Sequence, residues 1–121
     1  MIKGIGLDIA EIDRIGKMIL RQPKFIDRIL TDREKDAYHS YSGRRKTEYA
    51  AGRFAAKEAF SKAMGTGIGG ALSFQDIEII RDEFGRPMIV KPDMKGFYVH
   101  LSITHTREYA AAQVIIESSS S

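Results

Sequence analysis

The sequence predicts an α+β domain in which helices pack on a largely antiparallel sheet. Apolar residues recur at helical spacing between Ile12 and Met64, and after Ser73 the pattern changes to paired strand-like runs joined by short turns. At 121 residues the chain is one domain by size. That domain is expected to span residues 1–117, with residues 118–121 a disordered serine tail.

Ile2 to Ile9 alternates, with Ile5, Leu7 and Ile9 on one side and Gly4, Gly6 and Asp8 on the other. Asp8 thus lies in an otherwise apolar strand and shares the glycine face, where a ligand or another backbone can come close. A helix is expected from about Glu11 to Arg21, carrying Ile12, Ile15, Met18 and Ile19 at helical spacing, until Pro23 breaks it. A second helical piece covers about Lys24 to Leu30. Thr31-Asp32-Arg33-Glu34 has the spacing of a capping box and opens a third. Residues 42–46, with consecutive basic Arg44, Arg45 and Lys46, read as a loop. The long helix then runs from about Thr47 to Met64, buries Ala51, Phe54, Ala55, Ala59 and Ala63, and stops at Gly65. Strands over 76–81 and 86–90 flank the turn Asp82-Glu83-Phe84-Gly85, and strands over 97–104 and 109–117 flank His105-Thr106-Arg107-Glu108.

Composition removes several classes of chemistry. There is no cysteine, which excludes disulfides, thiolate nucleophiles and cysteine-bound zinc and suits a cytoplasmic location. No apolar run approaches a membrane span, and Asp8 and Glu11 interrupt what would be the core of a signal peptide. The net charge of +3 is unevenly spread: residues 1–62 hold 14 Lys and Arg against 9 Asp and Glu, a net of +5. A basic half suits an acidic partner, a phosphorylated ligand or nucleic acid, although for a charge this small a solvated surface is the better default.

The residues able to carry chemistry concentrate in a few places. Asp8 and Glu58 form a carboxylate pair of the kind that holds Mg²⁺ against substrate phosphates. Spacing alone also fits an i,i+4 ion pair between Glu58 and Lys62, worth about 0.2–0.5 kcal/mol. Asp8 tips the balance, because a half-buried strand aspartate needs a partner. Ser61 and Lys62 share the polar face of Glu58. The run Gly65-Thr66-Gly67-Ile68-Gly69-Gly70 formally contains G-x-G-x-x-G, but it follows a helix and leads toward a strand, so it is no dinucleotide fingerprint. His39 and His100 read as structural or surface residues, whereas His105 sits beside Thr104 and Thr106 as a phosphate-binding candidate. Arg14, Lys17, Arg21, Lys24 and Arg28 recur every three or four residues as a basic stripe, either a solvated face or a docking surface.

Three ordered blocks resemble one family, the holo-acyl-carrier-protein synthases, the short bacterial class of 4′-phosphopantetheinyl transferases. They are Gly4-Ile5-Gly6-Leu7-Asp8, then Arg53-Phe54-Ala55-Ala56-Lys57-Glu58-Ala59 with Lys62, and Leu101-Ser102-Ile103-Thr104-His105-Thr106. Leu101 stands where valine is commoner. The resemblance implies a 4′-phosphopantetheinyl transferase-like fold and transfer of phosphopantetheine from coenzyme A to a serine of apo acyl carrier protein, in support of fatty acid biosynthesis. It implies that Asp8 and Glu58 hold Mg²⁺, that Glu58, Lys62 and Asp8 are catalytic, and that Lys57, Ser61, Lys62, Gly65, Thr66, Gly85, Arg86, Pro87, His105 and Thr106 bind coenzyme A. It also implies a homotrimer, with the stripe Arg14, Lys17, Arg21, Lys24 and Arg28 docking the acidic carrier. A small basic nucleic-acid-binding domain, suggested by a pI near 9.2, remains the alternative, and a metal-dependent phosphohydrolase is a third reading.

Overall fold

The computed structural model describes residues 1–119, so the expected tail at Ser120 and Ser121 lies outside the described residues. Elements follow the order β1 (Ile2–Glu11), α1 (Ile12–Arg21), α2 (Lys24–Ile29), α3 (Asp32–Ser40), α4 (Arg44–Met64), β2 (Glu78–Arg81), β3 (Pro87–Lys91), β4 (Phe97–His105) and β5 (Tyr109–Ser118). The strands form an antiparallel sheet ordered β1-β5-β4 and a separate antiparallel hairpin of β2 and β3. Helix α4 lies across the inner face of the larger sheet and packs against all three of its strands. Among the described residues no helix is long and apolar enough to cross a membrane.

Local chemistry sets most boundaries. Thr31 Oγ1 accepts from the Glu34 amide while Glu34 Oε1 accepts from the Thr31 amide, so the expected capping box opens α3. Gly65 closes α4 in the left-handed region, at φ 80°. Three expectations shift. The basic residues Arg44 to Lys46 belong to the first turn of α4, because Gly43 at φ 60° lets the chain enter the helix early. Asp76, expected to start a strand, ends a 3-10 turn over Phe74–Asp76, and β2 begins only at Glu78. Ser118 belongs to β5 and the Ser119 amide donates to the Gly96 carbonyl, so order extends past residue 117.

Strand β1 is turned opposite to ordinary core logic. Gly4, Gly6 and Ala10 face α4, while Ile5, Leu7 and Ile9 are 61, 57 and 62% exposed on the outer face of the sheet. Tyr98 and Tyr109 extend the same uncovered apolar surface. Asp8 is half-buried rather than fully enclosed.

The interior holds one ionic hub. Lys57 is 0% exposed and donates to Glu34 Oε1 at 2.6 Å, to the Ile29 carbonyl at 2.7 Å and to the Phe74 carbonyl at 3.0 Å. Glu34 Oε2 accepts from the Ile79 amide, and buried Glu78 accepts from Thr31 Oγ1. Burial lowers the Lys57 pKa, and Glu34 opposes that shift. With every ammonium hydrogen used inside the protein, Lys57 has no donor left for a ligand. Lys57→Met should cost about 3–5 kcal/mol, because it leaves Glu34 buried without its counter-charge. Urea unfolding checks this, and the double variant Lys57→Met with Glu34→Gln should recover part of the loss.

Candidate functional site

Two clusters emerge, both anchored on α4. In the first, Asp8 from β1 meets Glu58 and Lys62 from α4. Lys62 Nζ donates to Asp8 Oδ1 and to the Leu7 carbonyl, both at 3.0 Å, so Lys62 pairs with the strand rather than with Glu58. Burial and then the Asp8 charge hold the Glu58 carboxyl above its ordinary range, with Lys62 opposing. Two carboxylates stand near enough to interact, and only Asp8 is bonded to the lysine, a donor set that fits a divalent cation whose remaining ligands are water and phosphate oxygens. Among the described residues no group of three or more acidic or histidine side chains gathers at one point, so a cation would need the substrate to complete its shell.

The residues around this pair differ from expectation in two places. Ser61 is fully buried and its Oγ donates to the Glu58 carbonyl, so it faces the helix and not a ligand. Lys57, at the ionic hub, likewise has no donor free for a ligand. Gly65 and Thr66 border the pair's end of α4, but their amides already donate to the carbonyls of Lys62 and Ser61. The glycine loop therefore offers close backbone passage rather than a cradle of free amides.

The second cluster is a cleft of about 290 Å³ between the N-terminal half of α4, the β2–β3 turn and the end of β4. Gly85, Pro87 and His105 line it, together with Arg45, Arg53 and Arg81. Arg53 is 4% exposed, its guanidinium lies 4.5 Å from the centre of the Tyr49 ring, and its Nε has no partner. Burial lowers the Arg53 pKa, yet a guanidinium stays charged in a protein. A buried cation with a free donor calls for an anion. His105 Nε2 lies 3.8 Å from Glu48 Oε1. Arg86 is exposed and pairs with Asp82, whose carboxyl is held below its usual range by the Arg86 amide first and then by the Phe84 amide. Thr106 Oγ1 accepts from the Glu108 and Tyr109 amides and so holds the turn beside His105. Sequence reasoning missed Arg45, Arg53 and Arg81. The eight-residue spacing of Arg45 and Arg53, two helical turns on one face, was the available signal.

The clusters look in different directions. Gly52 in the cleft and Glu58 are six residues apart, about 9 Å along the helix axis and about 120° around it. The basic stripe is also on the surface: Arg14, Lys17, Arg21, Lys24 and Arg28 are all exposed. Arg14 borders an apolar groove with Ile9, Met18 and Phe54, and Phe54 sits one helical turn before Glu58.

The raised Glu58 pKa has a consequence for stability. Without metal, the folded chain binds this proton more tightly than the unfolded chain does. The stabilisation is present in acid and is lost as pH rises above the ordinary value of 4.5. Glu58→Gln should therefore raise the melting temperature of the metal-free protein at neutral pH. Circular dichroism melts should show the difference disappearing by about pH 4.

The architecture and motifs agree with known proteins. The model of the 4'-phosphopantetheinyl transferase superfamily matches residues 4–114. Holo-[acyl-carrier-protein] synthases of Bacillus pumilus and Bacillus subtilis are 60% and 61% identical to this chain, over the full length of each protein. The crystal structure of a holo-(acyl-carrier-protein) synthase from Bacillus anthracis in complex with CoA (3',5'-ADP) superposes with a TM-score of 0.91 at 52% identity, covering 98% of this chain and 99% of that one. This chain therefore belongs to the 4'-phosphopantetheinyl transferase superfamily, among the holo-[acyl-carrier-protein] synthases.

Proposed function

We infer that this chain transfers the 4′-phosphopantetheine of coenzyme A to a serine of apo acyl carrier protein, releasing adenosine 3′,5′-bisphosphate. The observation that carries this reading is the arginine-lined cleft on the helix that also presents Glu58 and Lys62 to Asp8, in a chain whose relative was crystallised with coenzyme A. The carrier serine oxygen attacks the phosphorus that bears pantetheine, and the bond to the nucleotide's phosphate breaks. Mg²⁺ held by Asp8 and Glu58 would neutralise the diphosphate and polarise the attacked phosphoryl group. Lys62, bonded to Asp8, would take up charge on the diphosphate, and Glu58 on the same helix would orient the serine hydroxyl or receive its proton. Arg45, Arg53, Arg81 and His105 bind the nucleotide's phosphate, with Gly85 and Pro87 against its ring and Arg86 and Thr106 shaping the rim. Gly65 and Thr66 border the path of the pantetheine arm.

Incubating the enzyme with coenzyme A, apo carrier and Mg²⁺ should add the mass of one phosphopantetheine to the carrier, read by mass spectrometry. Asp8→Ala should reduce this at least about a hundredfold while the fold is kept. Free phosphate with an unmodified carrier would replace the transferase by a hydrolase. The exposed stripe of Arg14, Lys17, Arg21, Lys24 and Arg28 supplies the charge that an acidic carrier recognises, acting mainly on association.

The working form is a homotrimer with sites shared between neighbours. Its support is the uncovered face of Ile5, Leu7, Ile9, Tyr98 and Tyr109, and the divergence of the two clusters around α4. One subunit supplies Asp8, Glu58 and Lys62, and its neighbour supplies the Gly85-Arg86-Pro87 turn and His105. Mixing Asp8→Ala with His105→Ala subunits by refolding should restore roughly a quarter of wild-type activity. Mixed trimers without recovery would place each site within one chain.

A further inference from the structure

Strand β1 crosses α4 at a separation that no side chain permits. A Cβ on Gly6 would lie 1.8 Å from the Ala59 carbonyl oxygen, and one on Gly4 would lie 2.0 Å from the Ala63 carbonyl oxygen. These contacts lie immediately to one side of the carboxylate pair. Asp8 follows Gly6 by two residues on the same face of β1, Glu58 directly precedes Ala59, and Lys62 directly precedes Ala63. Backbone touching backbone thus sets how far the strand bearing one carboxylate stands from the helix bearing the other.

The geometry points to Gly6, seconded by Gly4, as the residue that selects the size of the divalent cation between Asp8 and Glu58. This rests on the reading of those carboxylates as the metal pair. Mg²⁺ binds oxygen at about 2.0–2.1 Å in near-octahedral geometry, whereas Ca²⁺ needs about 2.3–2.6 Å and tolerates looser shells. Any side chain at position 6 drives β1 from α4 by roughly 1.5 Å before ordinary van der Waals contact is restored. That retreat exceeds the difference between the two cations' bond lengths. It also cannot be confined to Gly6, because β1 is hydrogen-bonded to β5 from Gly4 through Glu11, with Ala112 opposite Asp8. Asp8 withdraws with the strand, and its separation from Glu58 grows, which favours the larger cation. Glycine at this position is therefore a determinant of metal choice as well as of packing.

The test reads metal binding without turnover. Bound Mn²⁺ is followed by electron paramagnetic resonance on the full chain with coenzyme A present, and is displaced by Mg²⁺ or by Ca²⁺. The ratio of displacing concentrations reports selectivity. Gly6→Ala should shift that ratio toward Ca²⁺ by about tenfold with its circular dichroism spectrum retained. Glu58→Asp withdraws one carboxylate by a methylene without touching the Gly6 contact, and should shift the ratio in the same direction. A folded Gly6→Ala with the wild-type ratio overturns the role of the glycine and leaves the metal pair standing. Should Gly6→Ala fail to fold, an unchanged ratio in Glu58→Asp overturns it instead. Protein-bound Mn²⁺ that survives Asp8→Asn removes the metal pair and the inference with it.

Discussion

Lys57 carries a positive charge into a place with no exposure to water, and Glu34 is the group that makes this tolerable. An ammonium enclosed without a counter-ion loses its proton or unfolds the region around it. Here the pair is surrounded by further bonds, so neither partner relies on Coulomb attraction alone. The Ile29 carbonyl ends α2, Glu34 opens α3, Ile79 begins the hairpin, and Phe74 lies on the way from the glycine loop to that hairpin. Ile29, Glu34 and Phe74 meet Lys57 of α4 directly, and Ile79 joins them through Glu34. Glu58 is the next residue, so the helix cannot rotate or slide to reposition it without breaking the hub. Glu58 thus inherits its rigidity from a neighbour whose own donors are all spent inside the protein.

How much of this is legible in the sequence depends on the range of the interaction involved. The capping box at Thr31 and the stop at Gly65 are decided within four residues, and both are read correctly. The order of helices and paired strands follows from periodicity and turn residues, and the observed fold agrees. Lys57 shows where such reading ends. Its place beside Glu58 in one motif suggests a shared task, yet consecutive helical residues point about 100° apart. One faces the core and the other the site, and only the arrival of Glu34 from α3 decides which. Likewise Arg45, Arg53 and Arg81 become one cleft through the packing of β2 on α3 and of α3 on α4, which no local pattern announces.

Strand β1 teaches a related lesson. Alternation separates Ile5, Leu7 and Ile9 from Gly4, Gly6 and Asp8, but periodicity does not say which set turns inward. Hydrophobicity argues for the isoleucines; the close approach of α4 requires the glycines. Backbone proximity wins, and the apolar set is left outside. A residue's transfer free energy thus predicts its burial only when no tighter geometric demand acts on the opposite face.

The entry into α4 is electrostatically frustrated. Arg44, Arg45 and Lys46 crowd its first turn, no acidic residue stands there, and Gly43 offers no side-chain cap. Cations at the positive end of a helix dipole oppose it, each by about 0.3–1 kcal/mol at low ionic strength. Arg44 is partly relieved by Asp13 and by the Arg107 carbonyl, whereas Arg45 faces the cleft with Arg53 and His105. An anion arriving there neutralises side chains and dipole together. An occupied cleft would therefore make this end of the helix more stable than an empty one.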